Sequence, residues 1–123
     1  MIKKRGEESK NYLEKIPCPK KDLEWEINPE DGIVTLIIEH KGFFAAIAQR
    51  FFKRPKKSHI KLDELGSFVW KEMSEERNIL ALGELVLSKF GEDAQPLYER
   101  LSMFFKILEG NGLIFWAKDT ENK

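Results

Sequence analysis

The chain has 123 residues, of which 41% are hydrophobic and 34% are charged. This length and composition suit one soluble globular domain that buries a core without disulfides or metal, and they exclude a disordered chain. No apolar run is long enough to span a membrane, and the Lys- and Glu-rich start lacks the apolar core of a signal peptide. We therefore expect a cytoplasmic protein.

Net charge is zero, but basic and acidic side chains are unevenly distributed. Residues 1–61 hold 14 basic and 9 acidic side chains, whereas residues 62–123 hold 7 basic and 12 acidic ones. A domain-wide nucleic-acid binder would be basic where it docks, so this distribution argues against one and suits a polypeptide partner of mixed charge. The single cysteine, Cys18, excludes an internal disulfide and favours a reducing cytosol.

Residues 1–21 are polar and mostly charged, and they are predicted to form a flexible N-terminal tail. Pro17 and Pro19 keep the backbone around Cys18 extended and non-helical. Cys18 is either a reactive thiol or a thiol without a function. The second interpretation is favoured, because no histidine or acid stands nearby in the sequence to activate it.

A β-hairpin is predicted next. Leu23–Ile27 alternates apolar and charged residues, which is the period of a strand with one wet face. Asn28–Gly32 is a turn cluster that ends in Asp-Gly. Ile33–Ile38 is a continuous apolar run rich in β-branched residues, and it is predicted to be a strand buried on both faces.

Residues 40–57 form a basic amphipathic insert. Its apolar side chains recur at helical spacing, and its basic side chains fall largely on the opposite side. Two interpretations stay open: a short helix that covers one end of the sheet, or an interfacial helix for an anionic membrane or an acidic partner. The second would use a surface of seven residues: Phe43, Phe44, Ile47, Arg50, Phe51, Lys53 and Arg54.

A third strand, His59–Leu62, leads into three predicted helices. Asp63 is a good N-cap for the first helix, over about residues 64–73. The second helix, about residues 79–90, begins after Asn78 and stops at Gly91. Gly83 in its middle is typical of a close helix crossing. The third helix covers about residues 96–109, a short strand follows over 113–116, and residues 118–123 form a C-terminal tail.

The third helix carries an apolar arc of roughly 220° when its side chains are placed at about 100° per residue. Leu97, Leu101, Phe104 and Leu108 lie on its central line. One-sided packing needs about half of that arc. Either a shoulder of the helix lines a groove, or the whole arc is core.

The order of these elements resembles the PqqD family. Its members are peptide chaperones of pyrroloquinoline quinone synthesis and the related recognition elements of ribosomally made, modified peptides. The residues that carry the resemblance are Leu62, Asp63, Gly66, Val69, Trp70, Phe90, Gly91, Leu101, Leu108, Gly112 and Leu113. Two features depart from the family: Ala81 stands where a glutamate is usual, and the insert at 40–57 is longer than the usual connection.

The resemblance implies an α+β fold that is winged helix-turn-helix-like, in which an N-terminal three-stranded antiparallel sheet is followed by a three-helix bundle over residues 22–117. It implies that the leader segment of a precursor peptide adds as a strand to the third strand, beside the third helix, a mode that suits an open sheet edge. The partner would be a radical S-adenosylmethionine maturase that carries its own cofactors. The implied peptide-binding residues are His59, Ile60, Lys61, Leu62, Tyr98, Leu101, Ser102 and Phe105.

Other functions are less well supported by the residues. A winged-helix DNA-binding regulator needs a basic recognition helix, but the third helix has no net charge. A peripheral membrane or adaptor role would depend on the insert. His40 and His59 stand far apart without ligand spacing, so no enzyme activity, metal site or cofactor is expected. The exposed third strand also predicts a homodimer formed by pairing of two such edges.

Overall fold

The computed structural model describes residues 12–39 and 57–117. These residues divide into two compact units. Residues 12–21 and 68–117 form one, which we call the helical unit, and residues 22–39 and 57–67 form the other, the sheet unit. The sequence predicts a single domain over residues 22–117 preceded by a tail. The structure differs from this prediction because residues 12–21 belong to the helical unit.

Along the described residues, four strands come first, three α-helices follow, and a last strand ends the order. The strands are β1 (Pro17–Pro19), β2 (Glu24–Ile27), β3 (Val34–Glu39), β4 (Lys57–Lys61) and β5 (Ile114–Trp116), and the helices are α1 (Glu64–Glu72), α2 (Ile79–Phe90) and α3 (Leu97–Gly110). This confirms an α+β protein with a three-stranded antiparallel sheet and several helices. The winged helix-turn-helix arrangement and the three-helix bundle stay predictions.

The three-stranded sheet of the sheet unit has the order β2-β3-β4 and is antiparallel throughout. Side chains in the turn between β2 and β3 hold its backbone: Asn28 Oδ1 accepts from Glu30 N at 2.8 Å, and Asp31 Oδ1 accepts from Ile33 N at 2.9 Å. Gly32 adopts a φ of 75°, which most other residues would find strained. The predicted hairpin is therefore confirmed.

The two faces of this sheet differ in polarity. Trp25, Leu36 and Ile60 are cross-strand partners, so their side chains share the apolar face. Leu36 on the central strand is 0% exposed, whereas Trp25 and Ile60 on the outer strands are 37% and 38% exposed. The prediction that β3 is buried on both faces is wrong, because Thr35 and Ile37 on the other face are only half-buried.

Helix α2 of the helical unit begins and ends as its sequence predicts. Asn78 caps it by accepting a hydrogen bond from Ala81 N at 2.8 Å, and Gly91 ends it with a φ of 59°. A Cβ atom on Gly83 would lie 2.9 Å from the Tyr98 hydroxyl. The glycine therefore lets Tyr98 of α3 lie directly against α2, which is the close crossing that its position predicts.

The buried row of α3 differs from the predicted one. Leu97, Leu101, Phe105 and Leu108 are buried, whereas Phe104 is half-buried. Phe105 packs edge-to-face against Trp116 of β5, with 6.1 Å between ring centroids. This partner lies outside the helix, so the helical period alone could not choose between two adjacent phenylalanines.

Residues 12–20, predicted as part of a tail, are built into the helical unit. Strand β1 pairs antiparallel with β5, and Pro17 is buried. Lys20 N donates to Leu113 O at 2.9 Å, and Ala117 N donates to Ile16 O at 2.8 Å. Antiparallel ladders alternate, so these bonds place the nitrogens of Pro17 and Pro19 on the side away from β5. The lack of N–H groups on these two prolines therefore removes no hydrogen bond from the β1–β5 ladder.

Candidate functional site

Strand β4 is an outer strand of the sheet, and among residues 12–39 and 57–117 no strand pairs with its far side. Leu62 N donates to Val34 O at 2.9 Å, which fixes the alternation of the β3–β4 ladder. Ile60 directs its backbone groups toward β3. His59 and Lys61 direct their N–H and C=O groups away from β3, toward the open edge. This edge therefore offers donors and acceptors in the pattern that an added strand requires.

The side chains of β4 are accessible. His59, Ile60 and Lys61 are exposed, and Leu62 is half-buried. Lys57 donates to Glu24 Oε1 at 3.1 Å across the central strand, and this hydrogen bond and the charge of Glu24 raise the pKa of the lysine. The four strand residues predicted to bind a peptide thus lie together at the edge of the sheet unit.

A buried serine holds the ends of β3 and β4. The Ser67 hydroxyl accepts a hydrogen bond from Val34 N at 2.8 Å and donates to Leu62 O at 3.5 Å. The hydroxyl lies between Val34 N and Leu62 O, which would otherwise bond to each other and complete the β3–β4 ladder. Asp63 then starts α1, because its Oδ1 accepts from Gly66 N at 2.7 Å. The last residues of the open edge are therefore fixed by a side chain of the following helix.

Ser67→Ala should lower the free energy of unfolding by about 1–3 kcal/mol, because it leaves the buried Val34 N–H without its partner. Urea denaturation of the variant and the wild type measures this loss. Ser74→Ala is the matched control, since its hydroxyl is exposed and donates to Lys71 O at 3.0 Å. We expect the control to change stability by less than about 0.5 kcal/mol. Equal effects of the two substitutions would contradict the role given to Ser67.

The four predicted site residues of α3 lie in the helical unit but differ in burial. Leu101 and Phe105 are 0% exposed and belong to the buried row, whereas Tyr98 is exposed and Ser102 is half-buried. Tyr98 and Ser102 line a surface depression of about 500 Å³ together with Glu99, Met103 and Lys106. Only Tyr98 and Ser102 of the four can thus meet a ligand without rearrangement of the core.

The N-terminal segment forms part of the surface beside Ser102. A second depression, of about 290 Å³, is lined by Tyr12, Ser102, Lys106, Glu109 and Trp116. Tyr12 packs edge-to-face on Trp116 with 6.2 Å between ring centroids, and Trp116 Nε1 donates to Glu109 Oε2 at 2.8 Å. Burial raises the pKa of Tyr12 above its usual value, and its hydrogen bond with Ser102 offsets part of this increase.

The described residues do not test the predictions made for the basic insert. The basic insert and its surface of Phe43, Phe44, Ile47, Arg50, Phe51, Lys53 and Arg54 lie outside the described residues. Within the part of the chain that the structure describes, no cluster of histidine, cysteine or carboxylate side chains could hold a metal ion. No helix of that part is long and apolar enough to cross a membrane.

Sequence reasoning missed two contributors to these surfaces. Ser67 is a polar residue within the first predicted helix, and no sequence signal marks it as a partner of distant backbone groups. Tyr12 had a signal, because it stands with Leu13 and Ile16 as an apolar group in a charged segment. Such spacing is typical of a segment that docks on a core.

Comparison with known protein families gives a match. A sequence model of the family described as "Coenzyme PQQ synthesis protein D (PqqD)" matches residues 52–114, just over half of the chain. The match contains β4, the helices α1, α2 and α3, and the first residue of β5. Comparison with curated proteins and with solved structures found no match.

Proposed function

This chain belongs to the PqqD family, and from that membership we propose that it is a non-catalytic peptide-binding module of a biosynthetic system. It captures the leader segment of a ribosomally made precursor peptide. It then presents that peptide to a modifying enzyme, for which we propose a radical S-adenosylmethionine maturase.

The observation that carries this proposal is the open edge of β4. His59 and Lys61 offer four backbone groups to an incoming strand, and each hydrogen bond adds about 0.5–1.5 kcal/mol. Ile60, 38% exposed on the apolar face, adds a place for an apolar side chain of the guest. Backbone bonds of this kind supply affinity for an extended peptide, and the alternating side chains supply specificity.

The residues of α3 enter the proposal in two roles. We propose Tyr98 and Ser102 as peptide contacts, because both reach the surface of the helical unit. Leu101 and Phe105 are buried, so we propose that they hold α3 in place instead of touching the peptide. Substitution of Tyr98 or Ser102 therefore tests binding, whereas substitution of Leu101 or Phe105 tests stability.

The test is calorimetric titration with leader peptides encoded by short reading frames beside the gene, compared with scrambled peptides. His59→Pro should weaken binding about tenfold or more, because proline removes the outward N–H and its ring obstructs an added strand. The fold should persist, since proline is tolerated on edge strands where its nitrogen faces solvent. His59→Ala is the matched control: it removes the same side chain but keeps the N–H.

Binding that is lost equally in His59→Pro and His59→Ala would show that the side chain, and not the backbone edge, carries the affinity. If no leader peptide binds better than its scrambled control, the proposed function is wrong. Circular dichroism of both variants checks that the fold is retained.

A further inference from the structure

The open edge of β4 has a basic row on one face. Lys57, His59 and Lys61 alternate along the strand, so their side chains share the polar face, and all three are exposed. Lys57 already pairs with Glu24 at 3.1 Å. Among the described residues, no carboxylate forms an ion pair with His59 or Lys61. Two basic side chains at the edge are therefore available to a guest strand.

The other face of the same edge is apolar. Ile60 lies between His59 and Lys61 in sequence and directs its side chain to the face that holds Trp25 and Leu36. A strand added to β4 continues the alternation of the sheet, so its neighbouring side chains meet the basic row and the apolar face in turn. Within three residues, the edge therefore presents basic side chains on one face and an apolar side chain on the other.

We propose that the β4 edge selects peptide segments in which acidic and apolar residues alternate. The acidic residues lie beside His59 and Lys61, and the apolar residue between them lies beside Ile60. This acidic–apolar–acidic pattern is the same in both chain directions, so it does not depend on whether the guest runs parallel or antiparallel. The inference rests on the proposed function and names the chemistry of the leader segment that this edge accepts.

The same basic row disfavours a second copy of the chain as the occupant. The residues that can bond across this edge are those with outward backbone groups, namely Lys57, His59 and Lys61. Antiparallel pairing of two β4 edges brings members of this set opposite one another in every register. Like charges directly opposite are destabilising, and lysine on an edge strand is a known protection against self-pairing. We therefore expect a guest peptide, and not the homodimer, at this edge.

The test uses an acetylated peptide that alternates glutamate with valine and two matched peptides with glutamine or lysine in place of glutamate. A favourable charge pair with Lys61 should strengthen binding about threefold, so the glutamate peptide should bind about threefold more tightly than the glutamine peptide. Lys61→Glu should reduce this preference and favour the lysine peptide. Lys20→Glu makes the same charge change on an exposed residue of the helical unit and should leave the preference unchanged.

The outcomes separate this inference from the proposed function. If leader peptides bind and depend on the His59 N–H, but the glutamate peptide has no advantage over the glutamine peptide, the acidic pattern is wrong and the peptide-binding function stands. A preference that survives Lys61→Glu also overturns it. If neither leader peptides nor the synthetic peptides bind, both proposals fail. A dimer in sedimentation experiments that His59→Pro abolishes would replace the guest peptide with a second copy.

Discussion

Phe105→Ala should lower the free energy of unfolding by about 3–5 kcal/mol, which is typical for the removal of a buried phenylalanine ring. The side chain is 0% exposed, and its ring meets those of Phe104 and Trp116 edge-to-face at centroid distances of 5.4 and 6.1 Å. Its removal leaves a cavity and deprives Trp116 of a neighbour. Urea denaturation measures the loss, and the midpoint should fall without a change in slope if unfolding remains two-state.

Met103→Ala on the same helix is the control, because this side chain is 61% exposed. Its effect on the free energy of unfolding should stay within about 0.5 kcal/mol. A similarly small loss in Phe105→Ala would mean that the ring is not part of the core. The contrast also matters for binding studies. If a Phe105 variant no longer binds a peptide, the loss is first explained by its lower stability and not by the loss of a direct contact with the peptide.

Removal of residues 1–21 should cost about 3–5 kcal/mol of unfolding free energy, because the segment covers buried parts of the helical unit. The truncated chain loses strand β1 with its buried Pro17, and β5 loses its partner. It also loses the edge-to-face contact of Tyr12 with Trp116 and the bond from Ile79 N to Lys15 O at 3.0 Å.

A chain that begins at Tyr12 is the comparison, because it keeps every contact described for this segment. Thermal and urea denaturation of the two truncated chains should show that the one beginning at Asp22 is much the less stable. If both unfold at the same urea concentration, β1 contributes nothing to stability. The segment would then behave as the tail that its charged composition predicts.

The sequence predicts those elements whose signals are local. The caps of α2, Asn78 and Gly91, and the turn residues of the hairpin act on backbone groups within a few positions, so their chemistry can be recognised in a short window. The alternation along β4 likewise identifies His59 and Lys61 as neighbours on one face. The open edge therefore follows from the sequence once β4 is known to be an outer strand.

Contacts between distant segments could not be predicted in this way. Strand β1 pairs with β5 across most of the chain length, and neither strand has more than three residues. Ser67 bonds to Val34, which lies 33 residues earlier. The choice of Phe105 over Phe104 depends on Trp116. In each case the contact depends on a partner that is distant in sequence, and the periodicity of a short segment carries no information about that partner.

The two prolines of β1 have a consequence for aggregation. The backbone groups of Pro17 and Pro19 face away from β5, so that side of the strand has carbonyl oxygens but no N–H donors at either place. A strand of another chain would find only half of the bonds that a ladder needs on this side, and Pro17 is also buried there. Both features oppose growth of the two-stranded sheet into an intermolecular one. A strand of another chain would thus find both donors and acceptors at the β4 edge, but only acceptors at Pro17 and Pro19 of β1.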